Sequence, residues 1–398
     1  MLYNAGKGVP QSDTEAVKWY RLAAAQNDAT AEFNLGYMYQ FGRGVPQDFA
    51  QALSLYRRSA EKSNSTAQVS LGVLYANGTG VSQNYPEALK WYRLSAAQGN
   101  WIAQYNIGQM YLDGVGVPQD YSEAMKWLRP VAESGISDAQ SAIGLMFQNG
   151  FGVSQDYAEA SKWLRLAAVK GNAIAQANLG FLYSKGLGVP KDFSESIQWT
   201  RLGAEQGNDL ALLNLGTTYF HGRGVAQDYF EAFKWYQRSA AAGNVDAKYF
   251  VGSMYFQGLG VQKNYAEALA LFRETAAQGV SDAQYSIGLM YVQGLGVPLD
   301  YIEALKWFRM AAAQGNASAL SNLGAMYQFG MGGLALDPVI AYALYDLSVA
   351  IDGSSRNQAV SNRKRLSEQL TSIQIEAGKS FAGTIRRVGL IKALDQRI

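Results

Sequence analysis

Apolar and polar positions along the chain recur with a period of 36 residues, and each period describes two helices. The first, as at 29–40, sets Ala31, Leu35 and Tyr39 on one face, the spacing of a helix with one buried side. The second, as at 120–133, opens on a short polar residue followed three positions on by Glu or Gln. The pairs are Ser12 with Glu15, Asp48 with Gln51, Asn84 with Glu87, Asp120 with Glu123, Asp156 with Glu159, Asp192 with Glu195, Asp228 with Glu231, Asn264 with Glu267 and Asp300 with Glu303. Such a pair predicts a capping box: the polar side chain takes an orphan amide and the Glu or Gln reaches back. A Gly-x-Gly-Val turn joins the two helices, and a Gln-Gly-Asn type of turn, as at 98–100, leads to the next pair.

Glycine marks the period. Gly36, Gly72, Gly108, Gly144, Gly180, Gly216, Gly252, Gly288 and Gly324 follow one another at 36 residues without an insertion. A second series runs in the same phase through Gly6, Gly42, Gly78, Gly114, Gly150, Gly186, Gly222, Gly258, Gly294 and Gly330. Glycine inside a helix costs about 1 kcal/mol against alanine. The first series therefore predicts close approach of the second helix, helped by the alanines at Ala31, Ala67, Ala103, Ala139, Ala175, Ala211, Ala247, Ala283 and Ala319. Large side chains are expected to fill the space: Trp19, Trp91, Trp127, Trp163, Trp199, Trp235 and Trp307, with Leu55 and Leu271 in the same register. One helix pair cannot bury this face alone, whereas stacked neighbours can, and a solenoid follows.

The run Asn-Leu-Gly-x-Met-Tyr, then Gly-x-Gly-Val-x-Gln-Asp-Tyr-x-Glu-Ala-x-Lys-Trp-Tyr, resembles the Sel-one-like repeat, a longer-looped relative of the tetratricopeptide repeat. The resemblance covers residues 1 to about 330. It implies an all-α, right-handed superhelical solenoid of helix-turn-helix units and, for bacterial members, an adaptor or scaffold that assembles proteins. Met1-Leu2-Tyr3 aligns with Tyr37-Met38-Tyr39, the end of a first helix. The expected organisation is a half repeat at 1–28 holding a second helix, with sequence missing upstream, then tandem repeats over 29–332. A divergent terminal repeat with closing helices at 341–350 and 361–382 is expected within 333–398, after a cap at Asp337 and a proline at the first helical position, Pro338.

Composition narrows the chemistry. Net charge is +2, which gives no reason to expect nucleic acid or another polyanion. The segment from Arg363 onward is locally +5 and the body −3, the pattern of a solvated basic face. There is no cysteine, so disulfides, thiol nucleophiles and thiolate metal sites are excluded. The single histidine, His221, removes the common His/Cys zinc sites and any Ser-His-Asp arrangement elsewhere, and no cofactor is expected. The carboxylates of the paired positions read as helix caps, and the Gly-x-Gly loops follow helices and lack the Lys-Ser/Thr of a phosphate loop. Arg21, Arg57, Arg93, Arg129, Arg165, Arg201, Arg273 and Arg309 read as a solvated outer face, and Pro130 as a local bend in a second helix. No apolar run reaches the length of a membrane span, and no secretory signal stands at Met1.

A second stripe on the first helix, as at Phe33, Tyr37 and Gln40, carries no Asp, Glu, Lys or Arg in any of nine repeats. Its aromatic members are Phe33, Tyr37, Tyr105, Phe181, Phe220, Tyr249, Phe256 and Tyr285, with Asn149, His221, Gln257 and Gln293 at their flank. In related solenoids the equivalent stripe lines the concave wall. These aromatics and His221 are thus the expected partner-binding residues, against the reading that they pack neighbouring first helices. A protein or peptide partner bound without catalysis is expected. The rival is a polysaccharide- or cell-envelope-associated protein whose rings stack on sugars. A hydrolase using paired carboxylates is a weaker alternative. Cysteine-rich members linked to hydrolase activity offer no support, since their cysteines are missing here.

Overall fold

The computed structural model describes residues 11–354 and 357–397. Helices take up more than two thirds of them, and no strand occurs among them. The readings placed on Met1, Leu2, Tyr3 and Gly6 lie outside the described residues.

Each repeat begins with a 13-residue helix, such as Ala29–Phe41, Trp101–Asp113 or Ser281–Gln293. It stops at a glycine in the left-handed conformation, as at Gly42 (φ 64°) and Gly330 (φ 66°). That conformation reverses the chain at little steric expense only without a Cβ. The second helix, such as Phe49–Glu61 or Tyr229–Ala241, starts at a polar residue whose side chain accepts the amide three positions on; Asp120 takes that of Glu123 at 3.0 Å. Asp156→Ala is expected to lower stability by about 1 kcal/mol, read as a shift in the denaturation midpoint, and to leave partner binding unchanged.

The capping box itself is half right. The Glu does not reach back, because the cap's amide is already donated to the end of the preceding first helix: Asp120 to the Tyr111 carbonyl and Asp300 to that of Tyr291, at 2.9 and 3.0 Å. The Glu turns forward instead. Glu87 and Glu231 each take a lysine three residues on, Lys90 or Lys234, at 3.0 Å, and each accepts the indole N–H of the next residue, Trp91 or Trp235. A reciprocal box is made near the end of the chain, by Thr371 and Gln374.

The glycines inside the first helices do admit the second helix, but tryptophan is not what fills the gap. A Cβ on Gly72 would stand 2.5 Å from the Tyr92 ring, on Gly216 2.6 Å from Tyr236, and on Gly288 2.5 Å from Phe308. Each partner follows the tryptophan position by one residue. A helix turns 100° per residue, so the tryptophan faces away from that glycine: Trp91 and Trp235 are buried, Trp127, Trp163, Trp199 and Trp307 pack half-buried against core clusters, and Trp19 is 56% exposed. Burial pushes the phenols of Tyr92 and Tyr345, which face Gly72 and Gly324, up to about 12. A phenol whose folded pKa lies above its unfolded value of about 10 stabilises the fold fully below pH 10, and that contribution is lost as pH rises toward 12. A steep fall in melting temperature between pH 10 and 12 is expected, and Tyr92→Phe should make it shallower.

Two compact units follow one another, Met1–Gly203 and Ala204–Ile398. In the first, successive helix pairs bury clusters such as Tyr56, Leu71, Tyr92 and Ile107, then Leu128, Ile143 and Met146, then Leu164, Leu179 and Leu182. The helix Tyr121–Glu133 runs on through Pro130. In the second unit the clusters centre on Phe272 and Ile287, and on Phe308, Leu323 and Tyr345. That last cluster also takes Leu366, Phe381, Ile385 and Leu394 from the closing helices. Those helices are Pro338–Ile351, capped by Asp337, then Gln358–Ser367, Ser372–Val388 and Leu390–Asp395.

Two periodic contacts join each repeat to the next within a unit. Six arginines of the second helices are not free on an outer face: Arg21 donates to the Tyr39 hydroxyl, Arg57 to Tyr75, Arg93 to Tyr111, Arg165 to Tyr183, Arg273 to Tyr291 and Arg309 to Tyr327, whereas Arg129, with Phe147 eighteen residues on, is exposed as expected. The second glycine of the Gly-x-Gly turn lies against the start of the preceding second helix, as Gly152 does against Tyr121 and Gly296 against Tyr265.

Candidate partner-binding site

The stripe is set by what its helices must bury. Alanine, leucine and glycine positions of the first helix face the second helix, and a rotation of about 100° per residue brings the stripe to the margin of that interface. Its aromatics accordingly sit half in the core. In the first unit Phe33 packs on Tyr56 with ring centroids 5.6 Å apart, and Phe181 lies against the Leu164 and Leu179 cluster. Tyr37 is exposed and rests on Phe41, at 4.6 Å. Tyr105 is half-buried, accepts a hydrogen bond from the Gln109 amide at 2.7 Å, and has its phenol pKa raised by burial.

In the second unit Phe220 packs on Tyr229 and Tyr236, Tyr249 on Phe272 at 5.7 Å, Phe256 on Tyr265, and Tyr285 on Phe308 at 5.9 Å. His221 is exposed. Slight burial and the Arg223 charge lower its pKa below 6.5, so the imidazole is neutral at pH 7. The stripe is therefore a wall whose rings show one edge and bury the other.

Two clefts open in these walls. One, of about 350 Å³ in the first unit, lies among the helices Trp101–Asp113, Ser137–Asn149 and Ala173–Lys185. Tyr105, Leu112 and Leu145 line it, together with Asn149 and the acids Asp113 and Asp138. The other, of about 510 Å³ in the second unit, is polar and lies beside Tyr285, Leu289, Gln293, Asn322, Asn357 and Asp352. Tyr105 and Tyr285 are thus the predicted aromatics that line a cleft, and Asn149 and Gln293 the predicted flanking amides that do so. Sequence reasoning missed Asp113 and Asp138. Asp113 stands 36 residues before Asn149, at the same flanking position, so the period did point to it; Asp138 stands in the first turn of the next first helix, off the stripe.

Among the described residues no three metal-ligating side chains gather, and no helix is long and apolar enough to cross a membrane.

This architecture is that of a helix-turn-helix repeat protein. Ten consecutive matches to the Sel1 repeat, from 1–28 and 29–64 through to 317–350, show that the chain belongs to the Sel1 repeat family. It is similar to a protective antigen present in uropathogenic Escherichia coli strains, whose crystal structure displays an SLR fold: 32% identity over 99% of this chain and 92% of that one, with a TM-score of 0.64. A Sel1 repeat protein from Oxalobacter formigenes is 35% identical over 78% of this chain and 89% of that one, with a TM-score of 0.56. A search of curated proteins gives no match. Sel1 repeat proteins are in general protein-interaction scaffolds, and the fold is typically non-catalytic.

Proposed function

We propose that this protein is a non-catalytic scaffold or adaptor that holds a protein or peptide partner on the first-helix stripe. The observation that carries this reading is the stripe itself: positions free of charge through nine repeats, varied in identity, on a frame whose remaining positions are set by packing. Half-exposed rings offer contact area at low entropy cost, and amides beside them can bond a peptide main chain. Phe33, Tyr37, Tyr105 and Phe181 serve in the first unit, and Phe220, His221, Tyr249, Phe256 and Tyr285 in the second. On this reading 29–332 carries the binding repeats and 333–398 closes their core.

Affinity capture with the intact chain in its source organism, run beside a glycan array, tests the class of partner. Recovery of one or a few proteins whose binding is lost in Leu289→Lys supports the proposal. Retention on glycans, with no protein recovered, would replace it by a polysaccharide-binding role.

A further inference from the structure

The cleft in the first unit combines apolar walls with two acids, where the cleft in the second unit is polar. Leu112, Leu145, Met146, Phe151 and Ile174 give it apolar walls. Phe151 stacks on Tyr121, with ring centroids 4.6 Å apart and planes 6° from parallel, so that side is a fixed aromatic surface. Ile174 is 49% exposed at the opposite helix. The charged residues lining the cleft are Asp113 and Asp138, and no Lys or Arg joins them.

Neither acid is neutralised. Asp113 has no hydrogen bond or ion pair among the described residues. Asp138 accepts one hydrogen bond, from the Asn172 amide to Oδ1 at 2.8 Å, which leaves Oδ2 open. Both carboxylates line the cleft together with the Tyr105 phenol. This contrasts with the lysine-paired carboxylates at the starts of second helices, such as Glu123 with Lys126 and Glu159 with Lys162.

We propose that this cleft receives a large apolar side chain of a partner protein's peptide segment, with Lys or Arg flanking that side chain and meeting Asp113 and Asp138. The inference rests on the stripe being the binding surface and names the segment that this part of it accepts. A volume of 350 Å³ is at the small end of binding pockets, enough for one or two large side chains. The two carboxylates favour a cationic segment and disfavour an acidic one. The open amide of Asn149 stands ready for a main-chain group. Binding here depends on salt, unlike binding to an uncharged wall, because exposed charge pairs are screened.

A random nonapeptide display library selected against the intact chain at low salt supplies the test. Enriched peptides should carry Phe, Trp, Leu or Met with Lys or Arg within two residues on either side. A fluorescein-labelled enriched peptide should bind Asp113→Asn/Asp138→Asn about five- to twentyfold more weakly, the effect of two exposed charge pairs, and that difference should shrink at high salt. Leu145→Lys should weaken it by more than about tenfold, as for loss of an interface centre. Asn149→Arg, at an exposed position that adds a repelling cation without touching the core, should do so with unchanged unfolding. No enrichment, enrichment of acidic or neutral peptides, or affinity indifferent to the two Asp substitutions would each overturn the inference. If peptides lose binding in Leu289→Lys but not in the cleft variants, the stripe reading stands and this inference falls. If only second-helix variants such as Leu94→Lys matter, both fall.

Discussion

Alanine in place of Gly260 is expected to destabilise the protein by about 2–5 kcal/mol, combining left-handed strain with overpacking. Gly260 has φ +67°, where a side chain is strained, and a Cβ there would overlap the Tyr229 carbonyl carbon and oxygen. That neighbour is backbone at the first turn of a helix, fixed by the Asp228 cap, so it cannot rotate away. Gly258, two residues earlier in the same turn, is the control. Its φ is +76°, but the nearest atom to a Cβ is the Lys263 Cβ, at 3.2 Å. Gly258→Ala should therefore lose about 1–2 kcal/mol, the left-handed penalty alone. Denaturant midpoints of the two variants check this. Equal losses would mean that the second glycine is a turn residue and not the joint between repeats.

Phe308→Ala is expected to cost about 3–5 kcal/mol, as for a buried aromatic truncated in a core. Phe308 is fully buried and packs against Tyr285 as well as Gly288. Gly288→Ala alone should destabilise by about 1–3 kcal/mol, since the Cβ meets a ring held on all sides and the overpacking outweighs the gain in helix propensity. In the double variant the new methyl enters space the ring has left. The combined loss should then be smaller than the sum of the two. Additive losses, measured by equilibrium unfolding, would show that Gly288 and Phe308 do not share one contact.

The repeat, its two helices and its turns were legible because period, glycine phase and cap residues are local features. Gly36, Gly72 and their series predicted a close helix contact correctly. Yet which side chain filled it, Tyr92 and not Trp91, depends on a rotation of one residue that a pattern of large groups leaves open. The capping Glu was misread because its target, the Asp120 amide, is taken by Tyr111 in the preceding helix, a contact made only in the folded chain. The Arg57 to Tyr75 tie spans 18 residues and looks, in sequence, like ordinary surface charge. At the candidate site the uncharged wall was readable. Its clefts were less so: Asp113 shares Tyr105's helix and the flanking position of Asn149, but Asp138 joins them from the next repeat, a neighbourhood made only in the folded chain.

Site-specific photocrosslinking to a captured partner tests the central claim most directly. A benzophenone side chain would replace Leu145 or Leu289 on the first-helix stripe and, separately, Leu94 or Leu166, both exposed on second helices. The account predicts covalent capture of the partner from the stripe positions and none from the second-helix positions. Capture from Leu94 or Leu166 alone would contradict it.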